Sequence, residues 1–190
     1  VSTDSKLYNY SDLTTLVQEG TNIRYVGGMV ELNNEIYAFG RCTLYKKAVG
    51  STQWESTETS GVNKVYSVIH DGEKFVGVFD SVYTSLDGIS WSAITQNQSE
   101  VLPENVYWLK YVSGLYMCMG NQGGVFYYSF DGISWKKKEL DFPNGGDVFF
   151  DEDIEKLIAC GYDGRIKTAV YKKKMNLEET INYLLEITSQ

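Results

Sequence analysis

Two stretches of this chain are almost the same nine residues: Tyr83-Thr-Ser-Leu-Asp-Gly-Ile-Ser-Trp91 and Tyr127-Tyr-Ser-Phe-Asp-Gly-Ile-Ser-Trp135. A weaker copy runs from Tyr45 to Trp54, where Gly50-Ser-Thr-Gln-Trp54 stands in place of the Asp-Gly turn. Tryptophans at 54, 91 and 135 recur about every 40 residues, and a fixed period of that size marks propellers and related arrays. Nothing else in the sequence restricts the fold as tightly.

The residues between the tryptophans repeat as well. Ile23–Val30, Val65–Ile69, Val106–Tyr111 and Asp147–Phe150 read as first strands. Turn chemistry follows each, at Asn33-Asn34, Asp71-Gly72, Ser113-Gly114 and Glu152-Asp153, and Asp-Gly in particular favours a tight hairpin because both residues tolerate positive φ. Next come apolar runs with little polar interruption, Ile36–Gly40, Phe75–Phe79, Leu115–Gly120 and Leu157–Gly161, suited to strands covered on both faces. A polar loop leads to a third strand ending near Tyr45, Tyr83, Tyr127 or Tyr128, and Tyr171, and a turn then leads to a fourth strand bearing the tryptophan.

Four short antiparallel strands per unit make the blade of a β-propeller, and stacking such blades buries both faces of each. The expected fold is therefore all-β, a propeller of about four blades spanning residues 22–190. The repeats run over about 22–61, 62–102, 103–143 and 144–190. Residues 1–21 stand apart: Tyr8 to Val17 loosely matches a third-plus-fourth-strand hairpin, either closing the ring against the last blade or left from a further one. Two readings hold for the C-terminal segment. Thr180-Ile-Asn-Tyr183 echoes Gly-Ile-Ser-Trp as an outer strand, whereas Asn176-x-x-Glu179 forms a capping box ahead of Leu177, Ile181, Leu184 and Leu185 at helical spacing. Agreement of three signals favours a short helix there.

Composition supports β structure, with 15 Tyr, 4 Trp and only 2 Pro, because bulky aromatic side chains pack well on a pleated surface. The net charge of −8 argues against a nucleic-acid partner, which needs clustered cations. Lys136-Lys137-Lys138 and Lys172-Lys173-Lys174 are each followed by acidic residues and read as charges guarding strand edges. No apolar run approaches the roughly 18 residues of a membrane span. The first residues lack a basic-then-apolar export signal, but a chain beginning at Val1 suits a processed or excised form, so compartment is left open. Cys42, Cys118 and Cys160 lie far apart in apolar segments and read as buried free thiols. With a single histidine, His70, no metal site and no cofactor are expected.

Ser85-x-Asp87-Gly-x-x-Trp91 and Ser129-x-Asp131-Gly-x-x-Trp135 resemble the Asp-box, or BNR repeat, of sialidases and other propellers. They are similar also to a shortened variant common in repeat proteins of phage tails and bacterial surfaces. The longer form of the box has one more residue between Asp and Gly, and here only two copies are clean. Such a box acts locally: Asp and Ser bond the backbone of their own turn, glycine supplies a left-handed position, and tryptophan packs between sheets. The resemblance implies structural roles at the outer rim for Ser85, Asp87, Trp91, Ser129, Asp131 and Trp135. It also implies an extracellular or virion-associated setting, with a cytoplasmic one left open.

A sialidase-like site would need an arginine triad for a carboxylate, a Tyr/Glu nucleophile pair and an acidic proton donor. Only Arg24, Arg41 and Arg165 exist, and four blades fall short of the six that family uses. His70, beside a turn expected to be exposed, is a poor base for Ser–His–Asp chemistry. No catalytic residue is assigned. The expected function is a non-catalytic interaction module, phage tail-associated or on a bacterial surface, recognising a glycan or a protein. A structural spacer that associates with itself or a larger assembly is the second reading, and a glycoside hydrolase fragment the third. In propellers ligands meet loops joining second to third strands and blade to blade. The first kind presents Arg41, Asp80, Asn121 and Asp163, which form the candidate face. Trp108 lies outside the repeated tryptophan position and either stacks on a sugar or fills a gap between blades.

Overall fold

The computed structural model describes residues 7–12, 15–19, 23, 25–106, 108–112, 114–120, 124–139, 145–151, 156–161 and 166–170. All regular structure among them is β-strand, in antiparallel sheets ordered as the repeat requires. The expected C-terminal helix, Glu152-Asp153 and the basic run at 172–174 lie outside the described residues.

Among the described strands, β1 (Leu7–Asp12) and β2 (Thr15–Glu19) pair only with each other. The first blade-like sheet consists of β3 (Gly28–Leu32), β4 (Glu35–Phe39), β5 (Thr43–Ala48) and β6 (Glu55–Glu58), hydrogen-bonded in chain order. The second has β7 (Ser67–His70), β8 (Phe75–Val78), β9 (Val82–Ser85) and β10 (Ser92–Ala93) in the same order. A third is built from β11 (Lys110–Val112), β12 (Leu115–Met119), β13 (Val125–Ser129) and β14 (Trp135–Glu139). The fourth contains three described strands, β15 (Gly145–Asp151), β16 (Lys156–Gly161) and β17 (Ile166–Val170).

Local chemistry explains the hairpins. Asn33 and Asn34, at φ 52° and 63°, make the two-residue turn of positive φ whose twist matches the strands it joins. At the next such turn, Oδ1 of Asp71 accepts the amides of Glu73 and Lys74, both at 2.7 Å. Second strands are the most deeply covered: every residue of β8 and β12 is buried. The fourth strands are open to solvent, β6 throughout and β14 beyond Trp135. This gradient is what an apolar second strand and a polar fourth strand dictate.

The chain divides into two compact units, residues 1–79 with 83–93, and residues 80–82 with 94–190. In the first, Phe39 and Leu44 of the first sheet pack with Val65, Val68, Phe75, Phe79 and Trp91 of the second. In the other, Leu115, Met117, Met119, Phe126 and Tyr128 pack with Val148 and Ala159. Inter-sheet burial of this kind supplies most of the stability, at roughly 25 cal/mol per Å² of apolar surface.

Three details differ from the sequence reading. First strands begin later than expected, at Gly28, Ser67 and Lys110, because the preceding residues serve as linkers. Cys42 is not in a strand but in the turn after β4 at φ 53°, and both it and Cys160 are half-buried; only Cys118 is fully buried, where burial pushes its thiol well above the usual range. His70 is half-buried rather than exposed, its ring edge-on to Phe75 at 4.6 Å and its Nδ1 accepting the amide of Gly72 at 3.1 Å.

The closest approach of the first two sheets is made through backbone. A Cβ on Gly27 would run into the carbonyl oxygen of Val65. Gly27→Ala should therefore lower stability by about 1–3 kcal/mol, the usual cost of overpacking. Urea denaturation should show a lower midpoint at unchanged slope; an unaltered midpoint would contradict this close contact.

Candidate functional site

The two clean repeats fold into nearly identical turns. In the first, Oγ of Ser85 donates to Oδ1 of Asp87 at 2.9 Å and accepts the amide of Gly88 at 2.8 Å. Oδ1 of Asp87 also accepts the amides of Ile89 and Ser90, both at 2.8 Å. Nε1 of Trp91 then donates to the carbonyl of Gly88 at 3.0 Å. The second turn repeats every bond, from Ser129 through Asp131 and Gly132 to Trp135, whose Nε1 reaches the Gly132 carbonyl at 3.1 Å. Gly88 and Gly132 sit at φ 74° and 71°, conformations that favour glycine.

These bonds hold both carboxyls below their ordinary value. The amide of Ser90 is the largest influence on Asp87, followed by opposing desolvation and then the amide of Ile89. For Asp131 burial is the largest influence and pushes upward, but the amides of Ser134 and Ile133 and the hydroxyls of Ser134 and Ser129 together outweigh it.

Each tryptophan is also latched from the linker before its blade. The Ser60 carbonyl accepts the amide of Trp91 at 3.2 Å, while the Ser60 amide donates to Ile89 at 2.9 Å. For Trp135 a side chain does this work: Oγ of the buried Ser99 accepts its amide at 2.8 Å. The ring of Trp91 meets Phe39 of the neighbouring sheet at 5.8 Å and Phe79 of its own at 5.0 Å, both near edge-to-face. The polar groups of the two turns are thus directed at their own backbone. A shallow cleft beside the first, lined by Lys74, Thr84, Ser85, Leu86, Asp87, Ser90 and Ser92, offers mainly the exposed Leu86. Trp54, without the Asp-Gly turn, has its Nε1 buried with no partner among the described residues, and Lys47 Nζ lies 5.1 Å from its ring centre.

The second-to-third-strand loops are of a different kind. Arg41 is exposed, and its Nε donates to Oδ1 of Asn63 at 3.2 Å. The loop is fixed from below: Cys42 donates its amide to the Asn63 carbonyl and accepts that of Thr59, both at 3.0 Å, and Thr43 Oγ1 donates to the Arg41 carbonyl at 3.2 Å. Asp80 is exposed, its carboxylate accepting the amide of Ser81 at 3.1 Å. It belongs to the other compact unit. Asn121 and Asp163 lie outside the described residues. Trp108 is half-buried against the second core cluster, with Lys110 Nζ 5.3 Å from its ring centre. That ammonium is in turn bound to Asp147 at 2.7 Å and to the Val148 carbonyl at 2.6 Å.

Two residues of the Arg41 corner were missed in the sequence. Asn63 orients the guanidinium, and Lys64, next in the chain, carries its ammonium 4.7 Å from the ring centre of Tyr66. The available signal was position: both lie in a blade-to-blade linker, the second kind of loop that borders such a face. Among the described residues no group of three His, Cys, Asp or Glu side chains is placed to hold a metal ion, and no helix is long and apolar enough to cross a membrane.

No family model matches the sequence, and no curated protein is significantly similar to it. Solved structures do match in fold. The WD40 β-propeller domain of Doa1 has a TM-score of 0.56 at 16% identity, over 79% of this chain and 52% of that one. The fold is that of a β-propeller. YCF48 bound to D1 peptide has a TM-score of 0.65 at 13% identity, and the propeller units here cover 60% of it with 89% of this chain. The computationally designed Ika4 protein gives 0.55 at 12% identity, with 81% of this chain over 95% of that one.

The lowered carboxyls make the turns acid-sensitive. A group whose folded value lies below its unfolded one stabilises fully above the unfolded value, about 3.9 for Asp, and loses that effect as pH falls through the folded value. Asp87→Ala should cost about 1–2 kcal/mol at neutral pH, from two amides left without their acceptor. The gap between variant and parent should narrow below pH ~4. Urea melts across pH 7 to 2 check this, and a constant gap would mean the charge of Asp87 contributes nothing.

Proposed function

We propose that this propeller is a non-catalytic interaction module that holds a peptide segment of a partner protein at the second-to-third-strand loop that carries Arg41. The observation that carries the reading is the contrast between two sets of polar groups. Those of the Asp-Gly turns are bonded to their own backbone, whereas Arg41 is exposed on a loop tied through the Cys42 amide to the Asn63 carbonyl at 3.0 Å. A rigid scaffold presenting polar loop residues is how propellers and similar folds carry recognition. Protein partners are favoured over glycans because two structures of similar fold are described by such complexes: YCF48 bound to D1 peptide and a nidogen/laminin complex. The half-buried Trp108, with Lys110 beside its ring, offers no open face recognisable as a sugar platform. Absence of catalysis is supported by His70, whose Nδ1 accepts a backbone amide and whose ring rests on Phe75. An extracellular or virion-associated setting belongs to the same proposal and rests on the motif resemblance alone.

Selection of a random-peptide library on the folded chain tests it. Enriched peptides should bind at least about tenfold more weakly, ~1.4 kcal/mol, when Arg41 is replaced by Ala. Lys137→Ala on the solvent-facing β14 should change binding less than about twofold, as rim charges usually do. Binding on a glycan array with no peptide enriched would overturn the protein-partner reading.

A further inference from the structure

Three of the described lysines are held by carboxylates, whereas Lys47 bonds the Ser51 carbonyl at 2.9 Å. Lys46 lies 2.8 Å from Glu35, Lys74 lies 3.7 Å from Asp71, and Lys110 lies 2.7 Å from Asp147. That is the expected outcome where 25 acidic residues surround 17 basic ones. The corner at Arg41 departs from it. Among the described residues neither Arg41 nor Lys64 has a carboxylate partner, although both are exposed. Each is held by a neutral group instead, Arg41 by the amide oxygen of Asn63 and Lys64 by the ring of Tyr66.

A neutral anchor has a specific consequence. The bond to Asn63 uses only Nε, on one edge of the planar guanidinium, and fixes the plane without neutralising it. The two terminal nitrogens donate the remaining four hydrogens, and among the described residues no carboxylate takes them. An Arg whose orientation is set beforehand loses less rotamer freedom on binding, and its fork matches a carboxylate bidentately. The anchor itself is rigid. Asn63 is tied by its carbonyl to the Cys42 amide at 3.0 Å, and Cys42 holds φ 53°, an unusual conformation for a non-glycine residue. Arg41, Cys42 and Asn63 therefore form one closed structure between the first sheet and the linker to the second.

We infer that the Arg41–Asn63 corner, with Lys64 beside it, is a receptor for a carboxylate on a bound peptide, an Asp or Glu side chain or a free C-terminus. This rests on the peptide-binding reading above and names the chemistry of one of its contacts. A positive corner on a chain of net charge −8 also favours acidic partners over basic ones at this position.

The test needs no identified partner. N-acetyl-aspartate N-methylamide is titrated into the isotope-labelled chain, with N-acetyl-asparagine N-methylamide as the neutral isostere. Resonances of the Arg41 Nε–H and the Asn63 side-chain amide should move with the aspartate compound alone. The shift should saturate, weaken at high salt and vanish in Arg41→Gln. In Arg41→Lys, which keeps the charge but lacks the fork, affinity should fall about tenfold. Movement equal for both compounds, or none up to about 50 mM, a concentration that detects millimolar affinity, overturns the inference. So does equal loss on replacing Lys137, which would mean general charge attraction. Failure here with peptides still enriched and weakened by Arg41→Ala would leave peptide binding standing without a carboxylate contact. No peptide enriched, with the aspartate compound still bound at Arg41, would retain the receptor and remove the peptide-module reading.

Discussion

The two clean repeats of this fold rest on one bond, from an indole N–H to the carbonyl of a glycine three residues earlier. It closes the Asp-Gly turn onto its tryptophan at 3.0 Å in one blade and 3.1 Å in another. The bond needs glycine, because the turn places that residue at positive φ, and it needs Asp, because two amides of the same turn otherwise point at nothing. Once closed, it leaves the ring a single place to go. In the first compact unit that place lies between two sheets, against Phe39 and Phe79. Local hydrogen bonding thereby decides where the largest apolar side chain is buried, and blade stacking follows from it.

How much of this could be read from residues alone depended on the range of the interactions. Strand order and turns were legible because they are set within a few residues: alternating and continuous apolar runs fix strands, and Asn33-Asn34 and Asp71-Gly72 fix hairpins. Register across blades was not. Nothing near Val65 announces that the strand waits until Ser67, because Val65 is committed to the core that the second sheet shares with Phe39 and Leu44 of the first. Cys42 shows the same limit. It lies among apolar neighbours and reads as strand, yet the amide and carbonyl that it exchanges with Asn63 and Thr59 put it in a turn.

The loop positions of Arg41 and Asp80 were legible in the repeat, and their partners were not. Arg41 and Asp80 could be singled out because second-to-third-strand loops can be counted along the repeat. Asn63 could not, since its role arises from a contact 22 positions away along the chain. Trp108 is the reverse case, a residue conspicuous in sequence whose half-buried ring belongs to the packing around Val112 and the second core cluster.

Trp54 marks a blade where the repeat lapses. Its indole nitrogen is buried with no acceptor among the described residues, and the strand that follows it, β6, is exposed at all four residues. An unmet donor at the rim removes part of the incentive for that edge to stay closed, so this edge has a lower barrier to opening than its stapled neighbours. Under heat, denaturant or pulling force, the molecule has an unequal perimeter. Its amide protons should be lost to solvent from the first sheet's outer edge while the edges closed by Asp-Gly turns still hold theirs.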